Sequence, residues 1–181
     1  MKKRILNMGC KEDTYGTDFI DLYPTRNEIK QIDLNRDNLP YEDNTFDEVV
    51  CLDLITHLVN VGNIIKEINR VLKIGGKLKL SGDNSNYWAS GYENSLNRWG
   101  RINLKGSESY KCYQNFTDAH LSNYLIYYGF KVIRLEYVFT NEVSVSFFRK
   151  WFKRFVNKLL LFTPFDKLSY KIVEIEGVKI K

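Results

Sequence analysis

The sequence predicts an α/β fold on a parallel sheet, and three observations carry that expectation. Short β-like runs recur through the first 83 residues. Residues 61–73 have the three-and-four apolar spacing of an amphipathic helix, and Gly75-Gly76 closes them just before another apolar run. The 181 residues, 44% hydrophobic and 27% charged, suffice to bury one substantial core, so a single domain over 1–181 is expected. Alternating strands and helices build parallel sheets that bind ligands beyond the carboxyl ends of their strands.

The elements follow in order. Arg4-Ile5-Leu6-Asn7-Met8 reads as a first strand, Asp18-Phe19-Ile20-Asp21 as a second, residues 29–33 as a third and residues 46–52 as a fourth. In the helix, Val61, Ile64, Ile65, Ile68, Val71 and Leu72 form the apolar stripe, and Lys66, Glu67, Asn69 and Arg70 fill the other face. Residues 77–81 make a fifth strand. Residues 84–116 are polar and aromatic with little periodicity, a connection too long to be idle, and read as a lid or pocket loop. Thr117 caps a helix that runs to Tyr128 and stops at Gly129, residues 130–139 form a sixth strand, and residues 169–180 a seventh.

Composition excludes several classes. With 3 Pro and 11 Gly there is no linker-like or collagen-like stretch, and no repeat of fixed period. Cys10, Cys51 and Cys112 are odd in number and far apart, fitting neither a bridged framework nor a metal knuckle. A cytoplasmic, reducing setting without a metal is expected. The basic start is interrupted at Asn7 and Lys11, unlike a signal peptide, and no apolar run is long enough to span a bilayer. Residues 1–140 balance 18 Lys/Arg against 18 Asp/Glu, whereas 141–181 carry 9 against 4, so the net charge of +5 lies in the last 41 residues. One locally basic surface is expected, and nucleic acid is not expected as a partner.

Three stretches carry a resemblance. Ile5-Leu6-Asn7-Met8-Gly9-Cys10, then Gly16-Thr17-Asp18-Phe19-Ile20-Asp21, then Asp33-Leu34 followed by residues 39–47, resemble the class I S-adenosylmethionine-dependent methyltransferases. Thr56-His57-Leu58 resembles that family's Glu-His-Leu, and residues 67–78 resemble its helix and Pro-Gly-Gly turn. The resemblance implies a Rossmann-like, doubly wound, mainly parallel sheet ending in an antiparallel strand pair. It also implies S-adenosylmethionine as cofactor.

The same resemblance assigns candidate residues. Gly9 and Cys10 end the first strand, where a missing Cβ lets backbone approach a ligand. Asp21 matches the ribose-binding acid, since a carboxylate can accept from both hydroxyls. Asp33 and Leu34 match the adenine site, and Leu52 and Asp53 the strand end that touches the methionine part. Asp21 and Asp33 also suit ordinary turn chemistry. The chain departs from the family at Asn7 and Lys11, where an acid and a second glycine stand. Residues 10–17 are too few for a helical crossover, so the first helix is expected to shrink to a turn, as in a compact subgroup with Gly-Cys-Gly before the second strand. His57 reads either as the general base for an attacking hydroxyl or amine, or as a residue that packs at a helix start. Asp83, Asn84, Tyr87 and Trp88 are candidate substrate or lid residues.

On a helix, Val145, Phe148, Trp151, Phe152, Phe155, Val156, Leu159 and Phe162 share one face and Arg149, Lys150, Lys153, Arg154 and Lys158 the other, with no acid between 145 and 162. Such a segment either lies on an anionic membrane surface or packs on the sheet with its basic side in water, with Trp151 and Phe155 turned inward. The expected function is methyl transfer to a small-molecule, glycan-linked or lipid-linked acceptor; the alternative is an inactive interaction or membrane-surface module.

Overall fold

The structure is a computed structural model that describes residues 3–87, 113–138, 147–163 and 166–181. Its strands are β1 (Ile5–Met8), β2 (Asp18–Asp21), β3 (Ile29–Gln31), β4 (Phe46–Cys51), β5 (Leu72–Asp83), β6 (Phe130–Val138) and β7 (Ile172–Lys179). The helices are α1 (Val61–Val71), α2 (Asp118–Tyr127) and α3 (Phe147–Leu160). One sheet holds all seven strands in the order β3-β2-β1-β4-β5-β7-β6. The first five are parallel, and β7 runs antiparallel between β5 and β6.

Leu6, Met8, Ile20, Val49, Cys51, Leu78 and Leu80 line one sheet face and meet the α1 stripe Val61, Ile64, Ile65, Ile68 and Val71, with Leu121 and Leu125 of α2 beside it. The Asn60 side chain caps α1 by accepting from the Asn63 N–H (3.1 Å). At the other end the buried Lys179 ammonium donates to the carbonyls of Asn69 and Leu72 (both 2.8 Å), placing a cation on the helix's negative pole. The helix therefore stops two residues short of the sequence expectation: Leu72 turns extended to pair with Phe46, and a bulge containing Gly75 (φ 79°) carries the chain to the Lys77–Glu48 pair. β7 begins at Ile172, three residues later than expected, because Asp166–Ser169 form a 3-10 helix.

No helix joins β1 to β2, β2 to β3 or β3 to β4. The first link is a turn, as the short spacing requires. Across the second sheet face, Phe19, Asn7, Val50, Lys79, Glu176 and Arg134 stand side by side. The link folds over this face. Asn7 donates its amide to Asp13 Oδ2 and to the Tyr15 carbonyl (both 3.0 Å), and the Tyr15 hydroxyl donates to Glu48 Oε1 (3.1 Å). The Lys79 ammonium sits over the Tyr15 ring, 5.4 Å from its centroid. Gly16 (φ 140°) lies so close to the sheet that a Cβ would come within 3.2 Å of the Ile5 carbonyl.

Glu48 is the buried acid of this network, 2% exposed. It pairs with Lys3 and with Lys79 (3.3 Å). Burial alone would push its carboxyl up, but hydrogen bonds from Lys3, Lys79 and Tyr15 outweigh burial and hold it below the usual carboxylate range. A carboxyl lowered on folding stabilises the native state above its unfolded pKa, and that contribution is lost as pH falls through the native value. Glu48→Gln should therefore cost about 1–3 kcal/mol at pH 7. Denaturant titrations at descending pH should find the two proteins converging below about pH 4, where unfolded glutamates protonate. An unchanged gap in acid would contradict the ion-pair role.

Candidate functional site

The loops after β1, β2, β3 and β4 meet at the carboxyl edge of the sheet. Gly9 takes a left-handed conformation (φ 67°), and a Cβ there would lie 3.1 Å from the Leu54 side chain, so the first loop closes directly on the loop after β4. Its N–H donates to the Ile20 carbonyl (2.8 Å). Asp21 fixes the next turn: Oδ2 accepts from the Lys11 N–H (3.0 Å) and Oδ1 from the Tyr23 N–H (2.9 Å). Each oxygen keeps lone-pair capacity for a further donor or hydroxyl. Cys10 is buried, its thiol pushed up by burial and by the Asp21 charge despite the nearby Arg26 guanidinium. Its side chain belongs to the loop interior.

Asp33 opens the turn after β3. Its Oδ1 accepts from the Asn35 N–H (3.0 Å), its Oδ2 lies 3.4 Å from Arg36, and Leu34 packs against the core. Asn35 then accepts from the Val59 N–H (2.7 Å), binding this turn to the one after β4. That second turn runs from exposed Leu52 through Asp53, which is left-handed (φ 54°) and donates its N–H to Ser81 Oγ (2.9 Å), into the 3-10 helix Ile55–His57. His57 is half-buried at the end of that helix, and Thr56 is fully buried.

The return from residues 84–116 fastens onto the same helix. The Tyr113 N–H donates to the Thr56 carbonyl (2.7 Å), and the Gln114 amide donates to the carbonyls of Leu58 (3.2 Å) and Val59 (2.9 Å). Asp83 ends β5, and its carbonyl accepts from the Phe116 N–H (3.0 Å). Asn84 is buried and donates its amide to the Lys167 (3.1 Å) and Tyr170 (2.8 Å) carbonyls, which makes it a strut for the approach to β7. Tyr87 is buried too; Trp88 lies outside the described residues.

The edge thus gathers Gly9, Asp21, Asp33, Leu34, Leu52, Asp53 and His57. Sequence reasoning treated Lys11 only as a departure from a glycine pattern, and it passed over Asn35. The side chain of Lys11 reaches across to Asp53 (3.9 Å), a pairing between residues too distant in sequence to be read from spacing.

An α/β sheet of this order, with an antiparallel β7 and acids at or just after the ends of β2, β3 and β4, has the form of the class I methyltransferase fold. Residues 14–80 match the family model described as "Methyltransferase domain". An S-adenosylmethionine-dependent methyltransferase from Archaeoglobus fulgidus superposes with a TM-score of 0.64 at 14% identity, covering 98% of this chain and 86% of its own. One from Mesorhizobium loti gives 0.62 at 16% identity, covering 98% and 91%. The complex of the Haloferax volcanii Trm112 methyltransferase activator with a methyltransferase gives 0.62 at 14% identity, covering 99% and 82%. No curated protein matches the sequence. Residues 14–80 thus resemble a methyltransferase domain, the solved structures share the fold of the whole chain, and S-adenosylmethionine is the cofactor that this likeness implies.

The residues suit that group. Its diol, exocyclic amine and ammonium are donors, and Asp21, Asp33 and Asp53 place a carboxylate at or just after the ends of β2, β3 and β4. When bound, the cofactor supplies a methyl group on an electrophilic sulfonium. Asp21→Ala should weaken its binding by roughly 1.5–3 kcal/mol, the worth of a charge-assisted hydrogen bond. Calorimetric titration of the two proteins checks this; equal affinities would remove Asp21 from the site.

Proposed function

We propose that the protein transfers the cofactor's methyl group to a small-molecule, glycan-linked or lipid-linked acceptor while resting on an anionic membrane surface. The observation that supports this reading is the carboxyl edge itself, where Gly9, Asp21, Asp33, Asp53 and His57 lie at the ends of β1, β2, β3 and β4 or on the loops that follow them. His57 stands at the outer end of the loop after β4 and takes a proton from the acceptor's hydroxyl or amine. Orientation of that nucleophile against the sulfonium supplies the rest of the rate. His57→Ala should lower turnover roughly 10²–10⁴-fold with cofactor affinity little changed. The assay follows labelled methyl transfer to a panel of hydroxyl, amine and lipid-linked glycan acceptors, and nearly full turnover would assign His57 to packing.

The membrane part rests on α3 and the residues just after it. Phe155, Leu159 and Phe162 are 55%, 59% and 83% exposed, and Arg154 and Lys158 are exposed beside them. An inward Phe155, which packing on the sheet would require, does not fit this exposure; the Trp151 side chain lies outside the described residues. Exposed aromatics with an acid-free basic face suit an interfacial helix, each cation adding about 1 kcal/mol near anionic lipid. Among the described residues no helix is long and apolar enough to cross a membrane. The protein should sediment with vesicles rich in anionic lipid and not with neutral ones. Replacing Arg149, Lys150, Lys153 and Arg154 by Gln should abolish this with the fold intact. A native protein left in the supernatant with both vesicle types would end the membrane reading.

A specific observation favours the inactive alternative: Thr56, where the family has Glu, is fully buried with its hydroxyl unpartnered among the described residues. A folded sample that gives no heat with S-adenosylmethionine or its demethylated product would decide for that alternative.

A further inference from the structure

The chain leaves β6 at Val138 and re-enters the sheet at Ile172. These two residues pair with each other, and Ile172 also pairs with Asp83 at the end of β5. The excursion that holds α3 therefore begins and ends at the carboxyl edge, on the half over β5, β6 and β7. It is fastened there. The buried Asn84 donates its backbone N–H to the Lys171 carbonyl (2.7 Å) and its side-chain amide to the Lys167 and Tyr170 carbonyls (3.1 and 2.8 Å). The Lys167 ammonium pairs with Asp118 at the start of α2 (3.1 Å) and lies over the Tyr137 ring, 5.5 Å from its centroid. The 3-10 helix Asp166–Ser169, anchored in this way, is in contact with α3.

Beside this half stands the turn after β4, which continues the apolar surface of α3. Val59 is 60% and Tyr113 50% exposed, although the backbone at both is fixed. Asn35 Oδ1 accepts from the Val59 N–H (2.7 Å), the Gln114 amide donates to the Val59 carbonyl (2.9 Å), and the Tyr113 N–H donates to the Thr56 carbonyl (2.7 Å). One exposed apolar side chain is ordinary. Two of them on the edge that carries Phe155, Leu159 and Phe162 form a surface. Charge divides the same edge. Asp21, Asp33, Asp37 and Asp53 lie at or just after the ends of β2, β3 and β4, whereas residues 145–162 hold five cations and no acid. Anionic lipid attracts the second half and repels the first.

We propose that the protein meets the bilayer with the β5–β7 half of its carboxyl edge, and that Val59 and Tyr113 enter the interface beside α3. This rests on the membrane reading above and gives it an orientation. The acidic half stays in water, open to a soluble cofactor. The loop that bears His57, two residues before Val59, borders the lipid, so an acceptor held in the bilayer reaches that loop without leaving it.

Depth measurements test the orientation. Cys10 and Cys51 are buried, so in a Cys112→Ser background an environment-sensitive fluorophore can be attached through Val59→Cys or, at the opposite edge of the sheet, through Ile74→Cys, where the native side chain is 74% exposed. On phosphatidylglycerol vesicles that carry a nitroxide lipid, the label at 59 should shift to the blue and be quenched, and the label at 74 should behave as in water. Val59→Asp leaves the backbone bonds of the turn in place and should weaken vesicle binding about tenfold; Ile74→Asp should leave it unchanged. A label at 59 that stays in water on protein that sediments, a quenched label at 74, or equal vesicle affinities for the two aspartate variants overturns the orientation and leaves the membrane reading standing. Native protein that does not sediment with these vesicles removes both.

Discussion

Strands β1 and β2 lie side by side and parallel, yet only residues 9–17 connect them, and this short link governs much of the molecule. Parallel neighbours require the chain to travel back the length of the strand, a task usually given to a helix with its own apolar stripe. Without one, the link must lie flat on the sheet. Gly16 gives the clearance, Asn7 and Tyr15 tie the link down, and Glu48 becomes the buried acid that collects Tyr15, Lys3 and Lys79. Among the described residues the second sheet face is consequently polar across its middle, with Asn7, Glu48 and Lys79 beneath the link.

The same link shapes the site. Because it turns sharply after β1, Lys11 comes under the Asp21 carboxylate and is forced left-handed. Asp21 holds the loop through both oxygens and keeps lone-pair capacity for further donors. On the other face, Lys179 and Asn69 gather the ends of α1, α2 and β7: Lys179 donates to α1 carbonyls and Asn69 to the carbonyls of Tyr128 and Lys181. One face is thus sealed by apolar packing and a buried cation, the other by hydrogen bonds and ion pairs.

The order of strands and the α1 stripe were legible in the sequence because periodicity records which side chains are buried. Thr117 and Gly129 bounded α2 for the same reason: their chemistry is local, a side-chain cap accepting from the His120 N–H (3.1 Å) and a left-handed stop (φ 87°). The early end of α1 was not legible, because it depends on Lys179, more than a hundred residues away. Within the site, the motif order placed Asp21, Asp33 and Asp53 on neighbouring loops. The tie through Asn35, the approach of Lys11 to Asp53 and the structural use of Asn84 arise from tertiary contacts that no spacing rule records.

The position of β7 also bears on how the chain reaches this structure. Among the described residues β7 follows the other strands in sequence, yet it lies between β5 and β6, and β6 pairs with the sheet only through it. Until residues 172–179 leave the ribosome, β5 presents an unpaired edge and Lys179 is missing from the end of α1. An exposed edge of that length is a template for pairing with other chains. Synthesis therefore passes through a stage in which most of the core can form while the β5 edge stays open, and the last strand pairs that edge and joins β6 to the sheet in one step.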